Sequence, residues 1–243
     1  MQNDKNSPQI CRDKSTYTSI SENFRNIQSR MTVVAEKSGR TLDDIALVAV
    51  TKTVTVEKIN EAIKLGITDI GENRVQEFLS KEAELLPVNR HLIGHLQRNK
   101  VRQIVGKVCL IHSVDSVPLL REVDSQAAKM GIKQDVLMQI NVSGEESKFG
   151  MPLEVCDEFI GEAETLENVN LRGIMTIPPL TGDSEFLKDI FLRTREIFES
   201  AGKQFDILSM GMSGDFELAI ECGSNMVRIG SGIFGARAGS LHK

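Results

Sequence analysis

The feature that most constrains this chain is an alternation that repeats from one end to the other. Short apolar segments recur at 46–51, 67–70, 91–93, 108–111, 135–140, 171–175, 205–208 and 226–229, with amphipathic stretches between them. The short segments read as eight strands and the longer ones as helices. Residues 57–65 place Ile59, Ala62, Ile63 and Leu65 on one side and stop at Gly66. Residues 116–130 follow Asp115 as a candidate N-cap and end before Gly131. Residues 184–199 repeat Phe186, Ile190, Phe191, Ile197 and Phe198 at helical spacing. An additional helix opens the pattern, with Ile20, Phe24, Ile27, Met31 and Val34 on one face and Gly39 past its end.

Eight βα units in 243 residues predict an α/β fold, a (β/α)8 barrel of TIM type in a single domain with an extra N-terminal helix. An open doubly wound sheet is the main alternative. No Pro/Gly/Ser-rich linker divides the chain. The polar stretch 1–15 is expected to be a mobile segment and 16–243 the barrel.

Composition narrows the function. A net charge of −5 gives no basic field for nucleic acid, and no apolar run approaches the ~20 residues of a spanning helix. The N-terminus lacks the apolar core of a signal peptide, and Cys11, Cys109, Cys156 and Cys222 form no CxxC pattern. The expectation is a cytoplasmic protein with isolated thiols.

In such a barrel, chemistry gathers at the C-terminal ends of the strands. Lys52 ends the first, in ALVAVTK. An ammonium at the tip of an apolar strand is costly to desolvate, and partial burial makes the neutral amine available for Schiff-base chemistry. A solvated lysine that merely ends a strand has the same sequence signature. Asn73, after the second strand, has two readings: an amide that orients a bound ring or the Lys52 region, and an N-cap ahead of Val75 and Phe78. Ser213 follows strand seven, where it can donate its hydroxyl and cap a helix starting near Asp215. Gly230, Ser231 and Gly232 follow strand eight and can present backbone N–H groups at the start of a short helix. These two loops are the usual phosphate position of the fold, and a plain glycine turn is the competing reading.

Other motifs carry less. GSGIFG (230–235) matches G-x-G-x-x-G but lacks the following strand and acidic residue that a dinucleotide site needs. Position 215 is Asp, so Ser213 is not in a nucleophile elbow. His91 and His95 are four apart on a strand and its exit, without further ligands, so no metal site is expected. The basic stretch 97–107 has no interleaved aromatic residue and reads as a solvated face.

Taken together, LVAVTK, GENRVQE, HLIGHLQRNK, INVSGEESKFG, GIMTIP, LSMGMSGDFELAI and VRIGSGIFGAR resemble the motifs of the pyridoxal phosphate (PLP) homeostasis proteins. That family is a stand-alone PLP-binding barrel similar to the N-terminal domain of alanine racemase, and the resemblance runs from about residue 20 to residue 237. It implies that Lys52 forms the Schiff base and that Arg228 faces the pyridine nitrogen. Ser213, with Gly230 and Ser231, matches the phosphate cradle, and Asn73 falls in the G-E-N motif near the cofactor.

An arginine opposite the ring nitrogen disfavours its protonation and weakens the electron sink, which suits racemase-type chemistry or simple carriage. Racemisation needs a second acid/base on the opposite face. The one tyrosine, Tyr17, stands in the polar N-terminus, and the chain ends soon after the barrel pattern. The resulting expectation is a monomeric carrier or buffer of PLP, with little catalysis of its own, that delivers the cofactor to apo PLP-dependent enzymes. The alternative is a PLP-dependent amino-acid racemase or lyase that uses His91 or His95.

Overall fold

Eight parallel strands pair in chain order and the last closes on the first, which excludes the open sheet. In this computed structural model, which describes residues 19–145, 149–202 and 205–235, they are β1 (Ala46–Val50), β2 (Asp69–Glu72), β3 (Asn89–Leu92), β4 (Leu110–Val114), β5 (Gln134–Ile140), β6 (Val169–Thr176), β7 (Ile207–Met212) and β8 (Met226–Ile229). The helices are α1 (Ile20–Lys37), α2 (Val56–Lys64), α3 (Val75–Lys81), α4 (Val117–Met130), α5 (Cys156–Thr165), α6 (Ser184–Ser200), α7 (Phe216–Glu221) and α8 (Ser231–Phe234). Between β3 and β4 the chain forms a 3-10 helix, Arg98–Gln103.

The two faces of each strand serve different cores. Leu47 and Ala49 of β1 pack outward with Ile59 and Ala62 of α2, whereas Val48 joins Leu110, Leu137, Met175 and Met226 inside the barrel. This alternation follows from the period-2 geometry of a strand. The interior also holds polar residues: His91, His112, Ser209 and Arg228 are all buried.

Helix α1 begins with a capping box, in which Ser19 Oγ accepts the Glu22 N–H (3.1 Å) and Glu22 accepts the Ser19 N–H (2.9 Å). It buries Ile20, Phe24, Ile27, Met31, Val34 and Ala35. Each of the large ones contributes about 1.5–3 kcal/mol on burial, before the opposing chain entropy. Asn23 Nδ2 donates to Ile233 O at 3.0 Å, and Arg30 makes a bidentate pair with Glu217 (2.9 and 2.6 Å). Helix α1 therefore braces α7 and α8, the helices that follow β7 and β8.

Several boundaries differ from the sequence reading. Strand β2 takes in Gly71 and Glu72, and β7 takes in Ser209–Met212, because parallel pairing carries both strands past their most apolar segment. Ser116, not Asp115, occupies the N-cap position of α4. The Asp115 carboxylate instead lies 3.4 Å from His95 Nδ1, and Pro118 sets the first turn of the helix. The segment 1–15, Cys11 and Tyr17 lie outside the described residues. Among the described residues no helix is long and apolar enough to cross a membrane.

Candidate functional site

Lys52 stands in the turn between β1 and α2 and is half-buried. The peptides on either side of it are tied to one cluster. Lys81 of α3, only 8% exposed, donates from Nζ to Thr51 O (2.9 Å), Glu72 Oε1 (2.7 Å) and Glu77 Oε1 (2.7 Å). Thr51 Oγ1 donates to Glu72 Oε1 at 2.7 Å. Glu77 Oε1 also accepts the Thr53 N–H at 2.5 Å. Thr53 has φ +63°, a left-handed conformation that costs a β-branched residue about 1–3 kcal/mol and persists only where surrounding contacts impose it. Burial pushes the Glu72 carboxyl above the usual carboxylate range, partly offset by the Lys81 and Thr51 hydrogen bonds. Glu72, Glu77 and Lys81 were not legible as site residues. In sequence, Glu77 and Lys81 form an ordinary i,i+4 helix pair.

Ser213 does not cap α7, whose N-cap position is Asp215. Its Oγ accepts the N–H groups of Gly230 and Gly232, both at 3.2 Å, and so links the exit of β7 to α8. Ser231, exposed, is the first residue of α8. A Cβ on Gly232 would lie 3.0 Å from Ile229 Cγ2 and 3.1 Å from Ile27 Cδ1, so a larger residue would push on the side chains of β8 and α1 behind the amide. Gly230 packs beside Val50, two residues before Lys52. Two backbone donors converge here on a single neutral hydroxyl, a donor set suited to an anion.

Arg228 is buried in the barrel, 3% exposed. Its Nη1 donates to Ser209 Oγ (2.6 Å) and its Nη2 to Thr176 O (2.8 Å). Burial pushes its pKa down to about 10 against the opposing pull of Asp215, so the group stays cationic at neutral pH. Among the described residues no carboxylate hydrogen-bonds it.

Asn73 lies in the turn between β2 and α3 and is not the cap of that helix, a position held by Arg74. Its Oδ1 is buried without a hydrogen-bond partner, an acceptor fit for a ligand donor. Gly94 lies directly against this turn: a Cβ there would sit 2.2 Å from Asn73 O. A cleft of about 410 Å³ opens beside Asn73, bordered also by Ile93, His95, Lys100, Gln139 and Phe149. Lys52, Ser213 and Arg228 are not in its lining. The two histidines do not converge: His95 stacks on Phe149 at the cleft (centroids 4.2 Å), while His91 is inside the barrel against Asp69 and His112. Lys52, Asn73, Ser213, Arg228, Gly230 and Ser231 thus come from the adjacent staves β7, β8, β1 and β2 and the loops after them.

A family profile described as alanine racemase, N-terminal domain, matches residues 19–238. The pyridoxal phosphate homeostasis protein of Aquifex aeolicus is 41% identical over 222 residues, covering 89% of this chain and 97% of the relative. That of Escherichia coli is 36% identical over 228 residues, covering 90% and 97%. Among solved structures, PipY of Synechococcus elongatus with PLP bound is 30% identical with a TM-score of 0.80, covering 89% of this chain and all of PipY. Alanine racemase of Clostridium difficile, 16% identical with a TM-score of 0.70 over 58% of its length, shares the fold.

Proposed function

Because the chain belongs to the alanine racemase N-terminal domain family, among its pyridoxal phosphate homeostasis proteins, we propose that it binds pyridoxal 5'-phosphate at the mouth of β7, β8, β1 and β2 and takes part in PLP homeostasis. The observation that carries this reading is a donor set at one end of the barrel. A lysine pinned from both sides, a two-amide cradle and a buried, carboxylate-free arginine match in turn an aldehyde, a phosphate and a ring nitrogen. The orphaned Asn73 Oδ1 fits a ligand at the same mouth.

PLP supplies an aldehyde that an amine captures reversibly with loss of water, and a ring that withdraws electrons. Lys52 is the covalent attachment point, on a turn whose flanking peptides Lys81 and Glu77 fix. Ser213, Gly230 and Ser231 hold the phosphate. Arg228, charged at neutral pH, disfavours a second positive charge on the ring nitrogen.

In the test, purified protein is mixed with PLP, its absorbance is recorded, and the adduct is reduced with borohydride and mapped. Modification at Lys52, lost in Lys52→Ala, is the expected result. An equally stable adduct on another lysine in that variant would refute the assignment.

Within this reading the protein is a carrier or buffer that catalyses little and passes PLP to apo-enzymes. We further read it as a cytoplasmic monomer whose barrel domain spans 16–243. The alternative, a racemase or lyase, draws on His95, which borders the cleft and pairs with Asp115. Steady amino-acid turnover abolished by both Lys52→Ala and His95→Gln would establish the alternative and displace the carrier.

A further inference from the structure

A continuous line of hydrogen bonds crosses the inside of the barrel. It begins at Asp69, the first residue of β2, at the pole opposite the mouth. There it lines a second cavity of about 340 Å³ together with Phe24, Ala46 and Thr68. Asp69 Oδ1 is 3.0 Å from His91 Nε2. His91 Nδ1 is 2.9 Å from His112 Nε2, and the rings meet edge to face. His112 Nδ1 is 3.2 Å from Ser209 Oγ, which accepts Arg228 Nη1 at 2.6 Å. Five strands, β2, β3, β4, β7 and β8, each contribute one member.

Donor counting assigns the protons. Arg228 can only donate, so Ser209 Oγ accepts from it. The contact between the histidines needs one donor and one acceptor. Burial works against a charge on His91, but the Asp69 carboxylate and the Cys109 thiol outweigh it and raise its pKa to about 9. His112 is driven well below the ordinary histidine value by burial and by the neighbouring His91 and Arg228 charges. At neutral pH, His91 therefore donates both ways. His112 accepts at Nε2 and donates from Nδ1 to Ser209. Once His91 loses a proton, its Nδ1 becomes an acceptor. His112 must then carry its proton on Nε2, and its bond with Ser209 reverses.

We propose that the Asp69–His91–His112–Ser209 chain is a positioning relay for Arg228, orienting the guanidinium through Ser209 and transmitting to it the charge state of the Asp69–His91 pair at the far pole. The inference rests on the reading of Arg228 as the group facing the cofactor ring, and it makes Asp69, His91, His112 and Ser209 positioning residues. The charged and titratable neighbours are Asp69, Cys109 and His112 around His91, and Asp215 and His112 around Arg228.

The test is nitrogen NMR of the histidine rings and the arginine side chain in the full PLP-free chain across pH 6–10. In the unaltered protein, His112 is expected to switch from the Nδ1–H to the Nε2–H form as His91 titrates, with the Arg228 signal shifting in step. Asp69→Asn lowers that common midpoint by about 1–3 pH units, since it removes an opposite charge in contact. The wild-type titration reads the same coupling should Asp69→Asn unfold. His91 titrating while the His112 and Arg228 signals stay still overturns the relay. In PLP-loaded protein, an absorbance inflection with the same midpoint supports it, and an inflection unmoved by a correctly folded Asp69→Asn counts against it. If borohydride leaves Lys52 unmodified, the cofactor reading fails while the NMR result still decides the relay.

Discussion

Replacing Lys81 by methionine tests the clamp on the Lys52 turn. The substitution keeps the length and apolar stem and removes one ammonium. Glu72, 2% exposed, keeps only Thr51 as a partner for Oε1, and its Oε2 already lacks one. Thr51 O loses a donor and Glu77 loses the cation that fixes its carboxylate. Breaking a buried pair by removing one partner costs about 3–5 kcal/mol, because the remaining charge stays desolvated. For a domain of this size that corresponds to a fall in Tm of about 6–20 °C. Adding Glu72→Gln, which deletes the stranded charge, should recover a good part of the loss, and a double-mutant cycle by urea unfolding measures it.

A second consequence is local. Thr53 holds φ +63° because Glu77 accepts its N–H. Once Glu77 is loose, a strain of about 1–3 kcal/mol favours other turn conformers and cuts the population of the present turn about 5- to 150-fold. The apparent Kd for PLP rises by the same factor. Fluorescence titration with PLP, run well below the melting temperature, reads this separately from stability. A Tm within about 2 °C of the parent, or no rescue by Glu72→Gln, refutes the desolvation argument. Unchanged PLP affinity in Lys81→Met refutes the clamp.

Two further outcomes are expected. The raised pKa of His91, about 9 against an unfolded value near 6.5, contributes on the order of 3 kcal/mol of stability. It is fully present below about pH 6.5 and lost as pH climbs through about 9. His112, shifted the other way, removes stability as pH falls below about 6.5, so urea midpoints should peak near neutrality and His91→Gln should flatten the alkaline side. Ser213→Ala leaves the Gly230 and Gly232 amides without their acceptor, so PLP-free stability drops by about 1–2 kcal/mol. Inorganic phosphate should raise the Tm of the parent more than that of this variant, which lacks one of the groups read as holding the phosphate; an equal rise would show that Ser213 does not hold it.

The order of the barrel was legible because strand and helix periodicities are local. Although which of the five apolar residues of ALVAV face the interior was decided by the closed barrel, the first strand is legible as that apolar run and α1 in its 3.6-residue spacing. Strand ends were less so: β2 and β7 run two to four residues further than their apolar segments, because pairing with neighbours extends them. Ser213 was read as a cap for α7, but its acceptor role toward Gly230 and Gly232 spans residues 17 and 19 positions away. Asn73 was left between two readings, and Arg74 at the cap position removed one of them.

By itself, then, the sequence determined the fold class, the staves that carry Lys52, Ser213 and Arg228, and the motifs of a PLP-binding family. Each of these is a matter of residue type at short spacing along the chain. Only the tertiary structure decided what surrounds them. The Lys81 clamp, the buried charge of Arg228 held by neutral acceptors and the histidine chain behind it arise where side chains from different elements meet in a closed barrel. Burial there sets both their partners and their protonation, and neither has a signature in local sequence.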